Sequence, residues 1–163
     1  MLRLTALTLF LATPLAAQDQ IAPLPQWGTA GDWIIRIDPE AGNGCLAERN
    51  FPDGTLLQIG ALPDQGGGFI GAYNIIWTEI RDGQQGDIRF DFTDGQFEGQ
   101  AIGDHRGYLQ GGQVFFDSPD FLNELIRARD VTVTGPSGAS TTIDLTGSAQ
   151  AIKAIQTCQS EQS

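Results

Sequence analysis

Two cysteines place the strongest constraint on what this 163-residue chain can fold into. Cys45 and Cys158 lie 113 residues apart, so a bond between them would join the C-terminal end to the first third of the fold. In an oxidising compartment such a pair usually forms a disulfide. A shared metal site is the alternative, but it needs further ligands near both thiols, and the lone His105 is not a promising supplier. We therefore predict a Cys45–Cys158 disulfide.

The N-terminal residues 1–17 have the pattern of a secretory signal peptide, because the early Arg3 is followed by an apolar run and then by small residues. We place cleavage after Ala17. This leaves residues 18–32 as a Pro/Gly-rich N-terminal arm and residues 33–163 as a single β-rich domain. No later segment is apolar enough to cross a membrane. We expect a periplasmic or secreted protein with no membrane insertion after removal of the signal.

The chain is strongly acidic, with a formal net charge of −11 that becomes one unit more negative when Arg3 is removed with the signal. Nucleic acid is excluded as a partner because binding to phosphates depends on lysine and arginine. An anionic membrane surface is disfavoured for the same reason. A cationic protein or envelope component would be attracted by the charge, although acidity can also serve solubility alone.

Alternating polar and apolar residues separated by turn signals predict a mainly β (α+β) domain. The alternation is cleanest over residues 87–92, which favours a half-buried strand. Sequential antiparallel strands need only tight turns between them. We therefore expect an antiparallel sandwich-like or curved sheet of about eight strands with two short helices. The hairpin signals are Asp53-Gly54, Asp82-Gly83 and Asp94-Gly95.

Two segments, 118–129 and 148–157, carry helix signals. Ser118, Pro119 and Asp120 supply an N-cap, a proline at the first helical position and an acid in the first turn. Ser148 is placed to cap the second helix. Each helix has one apolar stripe at helical spacing. The inward residues are Phe121, Leu122, Leu125 and Ile126 in the first helix, and Ala151, Ala154, Ile155 and Cys158 in the second, with Ile152 buried beside them.

The three tryptophans lie in two different contexts. Trp33 and Trp77 fall in the predicted strands 33–38 and 69–77, so we expect both in the core. Trp27 lies in the arm that precedes the first strand. It either packs the arm onto the domain or is presented to a partner.

The sequence contains no complete catalytic, metal or cofactor motif. His105 has no nucleophile or orienting acid that spacing can identify. Residues 135–139 nearly spell a nucleophile elbow, but a strand follows where that motif needs a helix. Residues 91–98 lack calcium-loop spacing, although weak surface calcium binding stays open. Residues 66–68 are glycines without the Gly-Lys-Ser/Thr of a phosphate loop. We predict no catalytic residues, no metal site and no cofactor.

The C-terminal segment 144–158 has the sequence Asp-Leu-Thr-Gly-Ser-Ala-Gln-Ala-Ile-Lys-Ala-Ile-Gln-Thr-Cys. Read with Cys45 and residues 51–60, this segment resembles small uncharacterised exported proteins of alphaproteobacteria. It is also faintly similar to the invasion-associated locus B family, β-rich envelope proteins with a comparable Leu-x-Gly step before their C-terminal helix. The resemblance covers about thirty residues and implies a β-rich fold at the cell envelope. No catalytic residue of that family maps onto this chain.

These observations favour an exported, non-enzymatic binding or envelope-associated protein. Two alternatives stay open: an inhibitor of a cationic wall-degrading enzyme such as lysozyme, and a hydrolase whose site is assembled only in three dimensions. An electrostatic partner site requires the carboxylates to cluster. The candidate partner-binding residues are Trp27, Asp82, Asp87, Asp91 and Asp94, with Glu79 and Glu98 close to them in sequence.

Overall fold

The computed structural model describes residues 23–63 and 66–162. The proposed signal peptide and the first part of the arm lie outside the described residues. The strands are β1 (Gln26–Ala30), β2 (Trp33–Asp38), β3 (Gly44–Asn50), β4 (Leu56–Leu62), β5 (Gly67–Asn74), β6 (Gln85–Asp91), β7 (Gln96–Arg106), β8 (Leu109–Phe116), β9 (Asp130–Thr134) and β10 (Ser140–Asp144). The helices are α1 (Pro119–Arg127) and α2 (Ser148–Glu161), and one turn of 3-10 helix covers Pro39–Ala41.

The strands form one antiparallel sheet in the order β1-β2-β3-β4-β5-β8-β7-β6-β9-β10. The predicted mainly β architecture with two short helices is confirmed, and the sheet has ten strands where the sequence indicated about eight. The first five strands follow one another as a meander. The next three return in reverse order, so that β8 rather than β6 lies beside β5.

The three predicted hairpin turns have different outcomes. Asp53-Gly54 joins β3 to β4, and Asp94-Gly95 joins β6 to β7, as expected. Asp82-Gly83 is not a hairpin turn, because β5 and β6 are separated in the sheet by β8 and β7. Gly83 has a φ of +72°, which suits a turn, but a local turn does not determine which strands become neighbours.

Both helices lie on one face of the sheet and enclose the core. Phe121 of α1 is the aromatic centre of this core, since four other rings lie within 4.9 to 5.8 Å of its centroid. Such tilted and edge-to-face pairs add to the stabilisation that burial itself provides. The rings around Phe121 are those of Phe90, Phe92, Phe97 and Phe116.

The two helices begin in different ways. Ser118 caps α1 as predicted, with its hydroxyl accepting from the N–H of Phe121 at 3.3 Å. Ser148 does not cap α2, because Gly147 takes that position with a φ of +84° that favours glycine. The buried Ser148 hydroxyl instead donates to the carbonyl of Leu125 at 2.6 Å. This bond ties the start of α2 to α1.

The tryptophan predictions are partly correct. Trp33 is fully buried in the core, as expected. Trp77 is not in a strand, because β5 ends at Asn74, whose side chain accepts from the N–H of Ile76 and turns the chain away from the sheet. Trp77 is only half-buried. Trp27 lies on β1, packs against the core and donates its indole N–H to Glu161 at 2.8 Å.

The predicted disulfide between Cys45 and Cys158 is present, with the two Cα atoms 6.1 Å apart and both residues fully buried. It joins the C-terminal end of α2 to β3. The predicted inward residues Ala151, Ile152 and Ile155 are buried beside it. The disulfide therefore lies within the packed interface between α2 and the sheet.

A second contact, made by Arg49 of β3, joins distant strands of the sheet. Its guanidinium donates to Asp144 at the end of β10 and to the carbonyl of Thr146, both at 3.1 Å. The same group lies 4.7 Å from the centre of the Phe51 ring. Because β3 and β10 are far apart in strand order, this contact shows that the sheet curves strongly. Hydrogen bonds from the hydroxyl and N–H of Thr146, together with Arg49, hold the pKa of Asp144 below its usual range.

Removal of the disulfide by the double substitution Cys45→Ala/Cys158→Ala should lower the free energy of unfolding by roughly 2–5 kcal/mol, because the unfolded chain gains the freedom of a long open loop. Guanidinium unfolding followed by circular dichroism measures the change. The wild-type protein under reducing conditions should show the same loss. An unchanged unfolding midpoint would contradict this prediction.

The substitution Arg49→Met should destabilise the fold by roughly 1.5–3 kcal/mol, because two hydrogen bonds from a charged group to the end of β10 are lost while the apolar stem is kept. Thermal or chemical unfolding measures the difference. Arg81→Met is the matched control, since Arg81 is exposed. Equal stability of the two variants would show that the Arg49 contact is not important for the curved sheet.

Candidate functional site

The sheet face turned away from the helices divides into two regions. In β3, β4 and β5 its side chains are buried, including Leu46, Leu56 and Phe69. In β6 and β7 the alternating residues are polar and largely exposed. The first region is stabilised by its own packing, and the second is available to other molecules.

Aromatic rings lie flat on the sheet in the buried region. A Cβ on Gly60 would meet the Phe69 ring at 2.1 Å, and one on Gly71 would meet the Tyr73 hydroxyl at 2.9 Å. Each ring therefore covers the glycine of its own or a neighbouring strand. Glycine is required at these two positions because any side chain there would displace a ring.

A chain of polar contacts crosses the same region. Arg36 and Glu48 form an ion pair, and Gln58 donates to the other oxygen of Glu48 at 3.3 Å. Arg106 of β7 donates to the Gln58 carbonyl oxygen at 3.2 Å. The nearly buried Glu48 and Gln58 thus have hydrogen-bond partners, which a buried polar group needs.

Arg106 also connects this network to Tyr73 and Asp104. Its guanidinium pairs with Asp104 at 2.7 Å and lies over the Tyr73 ring, 5.1 Å from the ring centre. Burial of Tyr73 raises the pKa of its phenol, an effect that Arg106 partly opposes and Asp104 reinforces. The phenol of Tyr73 is therefore kept in its neutral form well above neutral pH.

His105 lies at the end of this network and pairs with Asp82, with 2.6 Å between Nδ1 and the carboxylate oxygen. One potential ligand atom each from Asp82, Asp104 and His105 lies within 4.8 Å of the others, which is close enough to hold a metal ion. Arg106 already donates to a carboxylate oxygen of Asp104, and a guanidinium there would repel a cation. We therefore interpret this group as a polar cluster held by the Arg106–Asp104 ion pair and the Asp82–His105 contact.

The Asp82–His105 pair also has the arrangement of a base and its orienting acid, which a hydrolase would use. A nucleophile would have to approach the other ring nitrogen. Within residues 23–63 and 66–162, no serine, threonine or cysteine side chain hydrogen-bonds to His105. Ser137 lies in the β9–β10 turn, where its hydroxyl accepts from the N–H of Ala139 at 3.4 Å, as expected of an ordinary hairpin connection.

The exposed region carries an acidic face, which we define as Asp87 and Asp91 of β6 and Glu98 of β7. The three share one side of the sheet because the apolar Ile88 and Phe90 alternate with the aspartates, and Glu98 pairs with Arg89 in the strand register. Asp91 accepts from Gln96 and from Arg89, and these bonds lower the pKa of its carboxyl group. Arg89 therefore balances one acid of the three.

The other two acids, Asp87 and Glu98, make fewer described polar contacts than Asp91. Asp87 accepts a long bond of 3.4 Å from Gln100, and in the part of the chain that the structure describes Glu98 has no ion pair. They border an open depression of about 580 Å³ between the strands and the β9–β10 turn. Its lining residues are Asp87, Ile88, Arg89, Glu98, Gly99, Gln100, Thr134, Gly135, Pro136 and Gly138. The charged side chains of this lining are Asp87, Glu98 and Arg89, so its formal charge is negative by one unit.

The predicted partner-binding residues are not all brought together. Asp87 and Asp91 share the acidic face, with Glu98 opposite Arg89, whereas Asp82 pairs with His105 and Asp94 lies in the β6–β7 turn. Trp27 is distant from them in the sheet order, because it lies on the first edge strand. Glu79 is exposed in the segment between β5 and β6.

Several residues of this surface carried no signal in the sequence. Tyr73, Glu48 and Gln58 lie in segments that read as ordinary strands. Glu48 and Gln58 face each other in the β3–β4 hairpin, but their network reaches Tyr73 of β5 only because Asp104 and Arg106 of β7 lie on the same curved sheet. The acidic face could be found from the alternation in residues 87–92, since period-two spacing puts Asp87 and Asp91 on one side.

The fold and this surface define a mainly β protein with an open antiparallel sheet, two helices on one face and an acidic region on the other. No family model matches the chain, and no curated protein matches it. The structure is similar to the crystal structure of invasion associated protein B from Bartonella henselae, with a TM-score of 0.58 and 12% sequence identity over 81% of this chain and 96% of that chain. The predicted faint resemblance to the invasion-associated locus B family is confirmed at the level of the fold. None of the described helices is long and apolar enough to cross a membrane.

The substitution Tyr73→Phe should remove part of the alkaline instability of the protein. The folded-state pKa of Tyr73 is raised, so the unfolded chain loses this proton first, and stability falls as pH rises above about 10 by roughly 1 kcal/mol per pH unit. Urea unfolding at several alkaline pH values measures the slope. The exposed Tyr108→Phe is the matched control and should keep the wild-type slope. An unchanged slope in Tyr73→Phe would contradict the prediction.

Proposed function

We propose that this protein is an exported, envelope-associated binding protein without catalytic activity, and that its acidic face engages a cationic partner. The observation that carries the proposal is the set of Asp87, Asp91 and Glu98, which share one side of the sheet with Arg89 as their described counter-charge. Asp87 and Glu98 are exposed, and Asp91 is half-buried. No helix covers this region, because α1 and α2 both pack on the opposite side. The acidic face is thus accessible as a surface.

Export is supported by three observations that agree. Residues 1–17 have the pattern of a signal peptide, and the proposal includes their removal. This leaves residues 33–163 as a single domain and residues 18–32 as a short arm whose strand β1 pairs with β2. The buried disulfide is compatible with an oxidising compartment outside the cytoplasm. The structural neighbour is named as an invasion associated protein, which is compatible with a role at the envelope.

A cationic partner follows from the physics of the charge distribution. The formal net charge of −11 produces a field that attracts basic molecules, and the acidic face concentrates part of this charge on one accessible side. Complementary charge increases association rates and discriminates against acidic partners more than it adds affinity. Basic wall-degrading enzymes such as lysozyme have the required chemistry, so inhibition of such an enzyme is the specific form of the proposal that is simplest to test.

The double substitution Asp87→Asn/Glu98→Gln should slow association with a basic probe protein, for which hen lysozyme is suitable. We expect the association rate constant at low ionic strength to fall by roughly three- to tenfold, since the electrostatic steering weakens. The control Glu40→Gln/Asp117→Asn removes the same charge from exposed residues outside the acidic face. Surface plasmon resonance over a range of salt concentrations measures both variants.

The outcomes of this experiment distinguish a specific acidic face from a general effect of net charge. Equal rates for the two double variants would show that net charge alone acts, and would overturn the role of the acidic face. Binding that does not change with salt would overturn the electrostatic mechanism. Lysozyme turnover on cell walls, measured in the presence of each variant, decides between inhibition and simple binding. Labelling of the native protein by serine-hydrolase probes would overturn the absence of catalytic activity.

A further inference from the structure

Three large apolar side chains are exposed together at one end of the sheet. Ile75, Ile76 and Tyr108 are 56%, 74% and 76% exposed, and among the described residues the fourth large apolar side chain with comparable exposure is Phe115. Single exposed apolar residues are common, but a group of them usually marks a contact surface. We call Ile75, Ile76 and Tyr108 the apolar end patch.

The strand register explains why these residues share one location. Asn74 of β5 is the cross-strand partner of Gln110 of β8. Ile75 and Ile76 directly follow Asn74, and Tyr108 lies two positions before Gln110. Both segments therefore leave the sheet at the same end of neighbouring strands.

The position of this end is held by buried hydrogen bonds. The Asn74 side chain donates to the Thr55 hydroxyl at 2.9 Å and to the carbonyl of Asp53 at 3.3 Å, and it accepts from the N–H of Ile76. Because Asn74 is almost fully buried, these bonds determine the direction in which the chain leaves β5. The two isoleucines are thus presented to solvent by an ordered turn.

Carboxylates lie on both sides of the apolar end patch. On one side, Asp53 is exposed in the β3–β4 turn that Asn74 contacts. On the other side, the strand register places His105 of β7 opposite Gln110, and Asp82 pairs with His105. The order across this end of the sheet is therefore acid, apolar group, acid. Arg106, two residues before Tyr108, is paired with Asp104, and the exposed Arg81 precedes Asp82, so the described acids outnumber the arginines here.

We propose that the apolar end patch is the docking site of a protein partner that presents apolar side chains flanked by lysines or arginines. This inference rests on the proposed function, and it adds the apolar anchor that the acidic face lacks. Charge complementarity at the rim of an interface mainly directs association, whereas apolar residues buried at its centre supply most of the affinity. An anionic lipid surface is disfavoured, because Asp53 and Asp82 border the patch and the net charge is −11.

One partner can reach both surfaces. The segment from Asp82 leads directly into β6, where Gly83 and Gln84 already exchange backbone hydrogen bonds with Gly103. Asp87 of the acidic face lies five residues beyond Asp82, which is at most roughly 17 Å, since the turn at Gly83 shortens the path. Interfaces of ordinary size extend over such distances. Basic residues of the partner would pair with the acidic face while its apolar residues cover the patch.

Two synthetic peptides separate the apolar contribution from the electrostatic one. The first is a short amphipathic helix of leucine and lysine, and the second has equal length and charge with serine in place of leucine. The variant Ile75→Ser/Ile76→Ser/Tyr108→Ser should weaken binding of the leucine–lysine peptide by about tenfold or more and leave the lysine–serine peptide unchanged. The single variant Ile76→Ser should weaken binding of the same peptide by about threefold. It tests the patch even if the triple variant does not fold.

Phe115→Ser is the matched control, because it removes an exposed large apolar side chain from the other end of β8. Equal weakening by Phe115→Ser and Ile76→Ser, or no weakening by either patch variant, would overturn the docking site. If the patch variants weaken binding of the leucine–lysine peptide but Asp87→Asn/Glu98→Gln does not, the proposed function is overturned and the patch remains a binding site. If the intact protein binds neither peptide, both proposals fail. Patch-dependent binding to phosphatidylcholine vesicles would make lipid the occupant and overturn the protein partner.

Discussion

The attachment of α2 to the sheet is the constraint on which the rest of this structure depends. The disulfide joins Cys158 to Cys45 of β3, while Ser148 at the other end of the helix donates to α1 through the carbonyl of Leu125. Trp33 of β2 donates its indole N–H to Thr146, just before the helix begins. One helix therefore holds the first strands, the last strands and α1 around a common core, and a long-range covalent bond reduces the freedom of the unfolded chain.

The curvature that results gives the two regions of the outer face different properties. Where the face is buried, every polar side chain needs a partner, and the network from Arg36 to Arg106 supplies these partners across four strands. Where it is exposed, the carboxylates of Asp87 and Glu98 are free of this requirement. The buried region provides rigidity, and the exposed region is available for binding because no packing depends on it.

The acidic face and the apolar end patch have complementary physical roles. In the proposed function, long-range charge would bring a basic partner to the acidic side of the molecule, and this attraction would weaken as salt is added. Burial of Ile76 and Tyr108 acts only at contact and depends little on salt. In the proposal a single partner uses both surfaces, since the segment that follows Asp82 leads into β6. An exported protein in a variable ionic environment would gain from having these two contributions together.

The sequence by itself determined the features that depend on near neighbours or on redox chemistry. Period-two alternation predicted β6, the Ser118 cap predicted the start of α1, and the two cysteines predicted the disulfide. The tertiary structure alone decided that β8 rather than β6 lies beside β5, so that the turn at Asp82 is not a hairpin. It also decided which polar groups meet beneath Arg106. The physical reason is that strand neighbours are chosen by the burial of the whole core, which compares residues far apart in the chain, whereas turns, caps and alternation are decided by a few adjacent residues.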